Sequence, residues 1–339
     1  MNNLIGRALA VLVGSLVLAL ALAPAHAATL EGSPGTDRII GTRNDDSIRS
    51  LAGADVVKGR GGADAVLSGP GKDQVWGGVG PDRVSSSRGN DEVHGGGGND
   101  LLKASRGNDL LYGELGDDGL FGGPGLDELY GGPGLDFLRG EGDADRLWGG
   151  PDDDQLEGSA GDDHLYGEDG RDTVRGDGGS DLIYGGAGDD DVRTQSGVGG
   201  LLGAAGDDFV YGEEGGDHVS GGMGNDYVDG GSGDDELDGG SGDDLLVDGE
   251  GDDQLTADED NDVIYLGPGR DESYSEEGDD VYYVLDDGVR DDIYCQGGYD
   301  RVYFVGSRDR LDVIHDLPQG AGPCEVVEVV ASAPADWPY

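Results

Sequence analysis

The chain has 339 residues, of which 73 are acidic and 21 basic, giving a formal charge of −52 at pH 7, and 71 are glycine. Such acidity argues against nucleic acid as a partner, because phosphate binding needs Lys and Arg, and so much glycine excludes long helices. Hydrophobic residues make up 35%, enough only for a thin core, and the excess of like charge opposes compaction unless something neutralises it.

In chain order, residues 1–27 read as a secretory signal peptide. Arg7 gives a small positive start, Ala8 to Leu22 is apolar, and Ala25-His26-Ala27 fits a small-x-small cleavage site. The apolar run is short for a retained span, and no Cys stands directly after the cleavage site, where Ala28 lies, so neither a membrane anchor nor a lipid anchor is expected after its removal. The mature chain would start near Ala28, four residues before the first repeat. That leaves no room for an N-terminal catalytic domain.

From Gly32 to Tyr283 one nine-residue period holds without a slip over 252 residues, or 28 consecutive blocks. Each block reads Gly, variable, variable, Gly, variable, Asp, variable, aliphatic, variable, as in GGMGNDYVD at 221–229. Position six is Asp in 27 of the 28 blocks, with Gly199 the exception. Position eight is Ile, Val or Leu up to Ile264 and fails only at Ser273 and Tyr282. Position four is Gly except at Asn44, Asp143, Asp152 and Asp260, and Asn and Asp are the non-glycine residues that best tolerate positive φ.

A period of nine is too short for a helix-pair repeat. It fits a tight turn followed by a strand of about three residues, with the aliphatic side chain inward and its neighbours outward. Two blocks on opposite sides make an 18-residue coil, and coils stack by parallel pairing at roughly 4.8 Å. The expected fold class is therefore all-β: a parallel β-solenoid of nonapeptide repeats, two per coil, over residues 28–283.

These blocks resemble the RTX (repeats-in-toxin) calcium-binding nonapeptides along about 250 residues. The resemblance implies a right-handed parallel β-roll whose turns bind calcium between successive coils, with position-six Asp as carboxylate ligands and backbone carbonyls completing each site. On the odd blocks those residues are Asp37, Asp55, Asp73, Asp91, Asp109, Asp127, Asp145, Asp163, Asp181, Asp217, Asp235, Asp253 and Asp271. On the even blocks they are Asp46, Asp64, Asp82, Asp100, Asp118, Asp136, Asp154, Asp172, Asp190, Asp208, Asp226, Asp244, Asp262 and Asp280. An N-terminal signal departs from the many RTX proteins that leave the cell through a C-terminal one.

Electrostatics points to the same ion. Stacked coils bring Asp residues 18 positions apart close together in two rows, at a cost on the order of a kcal/mol per pair even with water-like screening. A hard cation that takes six to eight oxygens converts that repulsion into coordination. Two rows of 14 turns leave 13 gaps each, and Gly199 removes two, so about 24 calcium ions are expected at most. The block 194–202, which lacks the acid, should be empty or weak.

Position nine of the odd blocks carries Trp76, His94, Tyr112, Tyr130, Trp148, Tyr166 and Tyr184. This spacing predicts a ladder of rings on one sheet face. Two readings stand: a rigid grip for cell-surface polysaccharide or a protein partner, or aromatics that simply favour strands and stack on one another.

Beyond Tyr283 the frame shifts by two. Asp291, Asp300 and Asp309, with Ile293, Val302 and Leu311 two residues after each, suggest three degenerate blocks. Residues 284–339 are expected to cap the open end with a larger apolar core. Cys295 and Cys324, the only two cysteines, suggest a disulfide within that cap. Glu325 to Val330 could add a strand, and the Pro- and Ala-rich tail after it should fray.

No zinc-protease, nucleophile-elbow or phosphate-loop pattern is present, and the five His residues are isolated. The function expected is that of a secreted, non-catalytic, calcium-dependent structural or surface-binding module. The alternative is an accessory component of an extracellular polysaccharide-active enzyme or toxin, or such an enzyme with an unrecognised site.

Overall fold

The computed structural model describes residues 27–194, 199–285, 287–306, 312–316 and 326–330. The signal-like segment therefore lies outside the described residues, apart from its last residue. Every described element is a strand. The chain divides into two compact units, residues 1–164 and residues 165–339.

In the first unit each block contributes one parallel strand, and consecutive blocks alternate between two sheets. One sheet holds Val56–Gly61, Gln74–Val79, Glu92–Gly97 and Leu110–Leu115 in sequence, with Val57 opposite Val75, Val75 opposite Val93 and Val93 opposite Leu111. The other holds Leu101–Lys103, Gly119–Pro124, Phe137–Gly142 and Gln155–Ala160, with Leu102 opposite Leu120 and Leu138 opposite Leu156. The register step is 18, so identical positions stack and no side chain changes face. From Ile48 to Leu156 the position-eight aliphatics are at most 2% exposed. The core of this unit is that single file of aliphatics, with the position-six Asp carboxylates buried beside it.

The stack starts earlier than the first repeat block. Thr29–Glu31 pairs with Ser47–Arg49 and buries Leu30, and the Ala28 N–H donates to Asp46 Oδ1 at 2.6 Å.

Position four takes the left-handed backbone wherever Asp replaces Gly: φ is 73° at Asp143, 88° at Asp152 and 81° at Asp260. Asn44 stays out of that region. Position two, which the sequence marks as variable, is left-handed as well, with φ of 89° at Arg60, 77° at Glu114 and 82° at Glu141. A non-glycine residue there costs roughly 1–2 kcal/mol, offset in part by the extra freedom glycine has when unfolded, about 0.5–1 kcal/mol. Glu141→Gly should therefore stabilise the calcium-loaded chain by about 0.5–1 kcal/mol, read as a higher urea midpoint. A lower midpoint would show that the Glu141 side chain makes a compensating contact.

The second unit repeats the architecture, for instance Ile183 opposite Leu201 and Leu237 opposite Leu255. Late in this unit the interior widens. Position one, glycine in most blocks, becomes Asp248, Ala257, Leu266 and Ser275, all 0% exposed. Val247 and Tyr265, expected to face outward at position nine, are buried too. The two failures at position eight compensate: small Ser273 and large Tyr282 are both fully buried, with Ser273 Oγ 3.5 Å from the Tyr282 hydroxyl.

After Tyr283 the register step lengthens. Ile293 pairs with Ser273 and Val302 with Tyr282, steps of 20, then Ile314 with Ile293 and Val327 with Val302. Asp291 and Asp300 join the acid ladder, but in the third degenerate block the acid that joins it is Asp312, whose Oδ1 takes the Asp291 N–H at 3.3 Å. Asp309 and Leu311, assigned to that block by the nine-residue spacing, lie outside the described residues. Val326–Val330 is a strand that prolongs the sheet of Arg301–Val305. The described part of 284–339 thus continues the coil with longer connections. Cys295 is buried and disulfide-bonded; Cys324 lies outside the described residues, as does the tail after Val330.

Candidate metal sites in the turns

The turn folds each position-six side chain back beneath its own backbone, so that every one of these Asp residues is at most 6% exposed. One oxygen of each carboxylate is used structurally. The Asp100 N–H donates to Asp118 Oδ1 at 2.7 Å, and the Asp118 N–H donates to Asp136 Oδ1 at 2.7 Å. The same bond recurs every 18 residues, from Asp37–Asp55 to Asp145–Asp163 in the first unit. In the second it runs from Asp172–Asp190 to Asp262–Asp280. In the folded coil, stacking thus fixes the orientation of these acids.

The other oxygen is left over. From Asp55 through Asp145, and at Asp190, Asp208, Asp217, Asp226, Asp235, Asp244, Asp253, Asp262, Asp271 and Asp280, Oδ2 is buried and accepts no hydrogen bond. A buried carboxylate oxygen without a partner is strongly unfavourable, and here it recurs turn after turn. Its surroundings are oxygen-rich. A Cβ placed on Gly113 would lie 2.5 Å from Asp118 Oδ2 and 2.6 Å from the Gly131 carbonyl, and at Gly131 the same test meets Asp136 Oδ2 and the Gly149 carbonyl, both at 2.5 Å. Gly185 and Gly221 repeat this in the second unit. Position one must be glycine in these turns because any side chain would occupy the space between the orphan carboxylate and the next coil's carbonyl. Carboxylate and carbonyl oxygens facing one spot are the donor set of a hard cation such as calcium.

Burial pushes these carboxyls well above their ordinary range, to about 6 at Asp118, about 7 at Asp100 and about 8 at Asp145 and Asp262. The backbone hydrogen bond to each opposes the rise, and neighbouring acids add to it. Without a counter-ion the sites favour a proton; a divalent cation supplies the same neutralisation more completely.

The sequence-predicted acids are not equivalent. Asp154, Asp163, Asp172 and Asp181 are buried in the same place as the rest. At Asp37 and Asp46 the turn closes on itself, and Oδ2 accepts the N–H of Ser33 or Thr42 at 2.6 Å. These two therefore offer less to a cation. Gly199 keeps the ladder, its N–H reaching Asp217 Oδ1 at 2.6 Å, but brings no carboxylate.

Two features went unread in the sequence. Asn and Asp at position five form an exposed ladder of opposite direction: Asp207 Oδ1 accepts the Asn225 N–H at 2.8 Å, and Asn225 Oδ1 accepts that of Asp243 at 3.0 Å. Their enrichment at position five was the available signal. The other is Asp248, which stands at position one and whose carboxylate meets those of Asp253 and Asp271.

The aromatic ladder is present. Trp76, His94, Tyr112, Tyr130 and Trp148 stack with centroids 4.4 to 5.4 Å apart and planes within 16°. Lys58 Nζ sits over the outer face of Trp76 at 4.2 Å. In the second unit Tyr166 and Tyr184 stack at 5.2 Å. Both faces of Trp76, His94, Tyr112 and Tyr130 are thus covered by another ring or by a cation.

The family described as RTX calcium-binding nonapeptide repeat (4 copies) matches residues 31–66, 67–102, 94–129, 121–156, 157–192, 202–237 and 238–272. The interval between 192 and 202 is the block without the acid. No curated protein matches. Among solved structures the chain is similar to a hyperactive, Ca2+-dependent, β-helical antifreeze protein from an Antarctic bacterium, at 18% identity and a TM-score of 0.36, covering 90% of this chain and 98% of that one. Among the described residues no helix is long and apolar enough to cross a membrane.

Proposed function

The chain belongs to the RTX calcium-binding nonapeptide-repeat family, and from that premise we propose that its position-six Asp residues hold calcium between successive turns and that the ions are what fold it. It is a calcium-binding β-roll structural protein. The observation that carries the ligand assignment is the recurring buried Oδ2 without a hydrogen-bond partner, set beside a backbone carbonyl. In this reading the bound ion would supply positive charge and coordination, while in the folded coil the backbone N–H of the preceding coil holds one oxygen of each carboxylate and burial keeps water from the other. Asp37, Asp46 and the Gly199 turn contribute least.

The protein acts, in this reading, outside the cell after removal of residues 1–27. Extracellular calcium modules have dissociation constants of about 0.1–1 mM, so the chain would stay unfolded in a calcium-poor cytoplasm and fold after export. Equilibrium dialysis of the mature chain against about 5 mM calcium should find on the order of 20 ions bound. Fewer than about five would overturn the ligand assignment.

We assign the aromatic ladder to stiffening the sheet. Gripping sugars by stacking needs free ring faces, and in this ladder the faces are taken. Replacing Tyr130 and Trp148 by Ser should cost about 1–2 kcal/mol in total while leaving retention on polysaccharide resins unchanged. Loss of retention at unchanged stability would reinstate the ladder as a ligand surface.

A further inference from the structure

In most turns position one is a glycine, and the cation would meet carboxylates contributed only by position six. The turn that begins at residue 248 differs. We infer that Asp248, Asp253 and Asp271 form a three-carboxylate calcium site that binds about tenfold or more tightly than the other turns and fills first. The inference rests on the reading above, that the turns hold calcium, and adds to it one site of a different kind.

One carboxylate oxygen from each of the three residues lies within 4.8 Å of the other two. The centre of an equilateral triangle of that side is about 2.8 Å from its corners, so a modest contraction reaches the 2.3–2.6 Å of calcium–oxygen bonds. Each acid is anchored by its other oxygen or by backbone contacts. Asp248 Oδ1 takes the N–H groups of Gly249 at 2.6 Å and Gly267 at 2.8 Å, Asp253 Oδ1 takes that of Asp235 at 2.7 Å, and Asp271 Oδ1 that of Asp253 at 3.0 Å. All three residues are at most 1% exposed, and Oδ2 of both Asp253 and Asp271 is buried without a hydrogen-bond partner. Three negative charges converge where the position-six pattern alone would bring two.

Affinity in calcium sites rises with ligand charge and rigidity, and this group has more of the first and, through four backbone N–H anchors, much of the second. It also lies where position one has ceased to be glycine, so the coil already has room for a side chain there.

The test is a calcium titration of the full mature chain in competition with a fluorescent chelator. Wild type should show one tight ion per chain separated by about tenfold or more from the bulk. Asp248→Gly, which restores the residue of most other blocks, should remove that single tight class while leaving the remaining binding and the calcium-saturated circular dichroism spectrum unchanged. Asp248→Asn, which keeps an oxygen for the Gly249 and Gly267 N–H groups, should do the same. A tight class that survives in both variants, or that wild type lacks while still folding in calcium, overturns the three-carboxylate site alone. Absence of calcium binding altogether would instead overturn the reading on which it rests.

Discussion

Transferred from millimolar calcium into chelator at neutral pH, the mature chain should lose most of its β-sheet ellipticity and recover it cooperatively when calcium is restored. The core is one aliphatic per nine residues, and fixing each backbone residue costs about 1–2 kcal/mol, so this file of side chains is too thin to hold the coil against a formal charge of −52. From Asp55 through Asp145, and again from Asp208 through Asp280, the metal-free fold also leaves one carboxylate oxygen per position-six Asp buried without a hydrogen-bond partner. Because binding free energy is folding free energy when the site does not exist in the unfolded chain, the effect of removing the ion should be near total. Equal ellipticity in chelator and in calcium would refute it.

A second large effect concerns protons in the absence of metal. The buried carboxyls are raised from an ordinary value of 3.8 to about 6 at Asp118, about 7 at Asp100 and about 8 at Asp145, chiefly by burial. A group whose folded value is raised binds protons more tightly when folded. Its contribution is complete below the unfolded value and disappears as pH rises through the folded one. In chelator the chain should therefore gain β structure as pH falls from 8 toward 4, the gain beginning near pH 8 and steepening below pH 6, where all of these carboxyls contribute, until the unfolded value of 3.8 is reached. With calcium present the sign of the coupling reverses, because ligands must be deprotonated to bind: apparent calcium affinity should fall over the same interval on acidification. A chelated chain whose ellipticity is flat from pH 8 to 4 would show that the raised carboxyls do not govern its folding.

The period of nine, Asp at position six in all blocks but that of Gly199, and the aliphatic at position eight were enough to specify the parallel solenoid and its two-block coil, and to point to calcium-binding repeats, because in a stacked fold every identical position must repeat its neighbours' environment. The aromatic rungs were legible for the same reason. What only the tertiary structure decided lies in how neighbouring coils divide the work. It showed that along most of the coil each position-six Asp gives one oxygen to the coil before it, and that from Asp55 through Asp145 the other is buried without a hydrogen-bond partner. It showed that position two is bent left-handed even at Arg60 and Glu141, and that the rings cover one another's faces. It brought Asp248 together with Asp253 and Asp271, and it placed Asp312 in the ladder after Asp291. These depend on backbone dihedrals, on insertions that change the step between coils and on oxygens a few ångströms apart, none of which is encoded in the spacing of residue types along the chain.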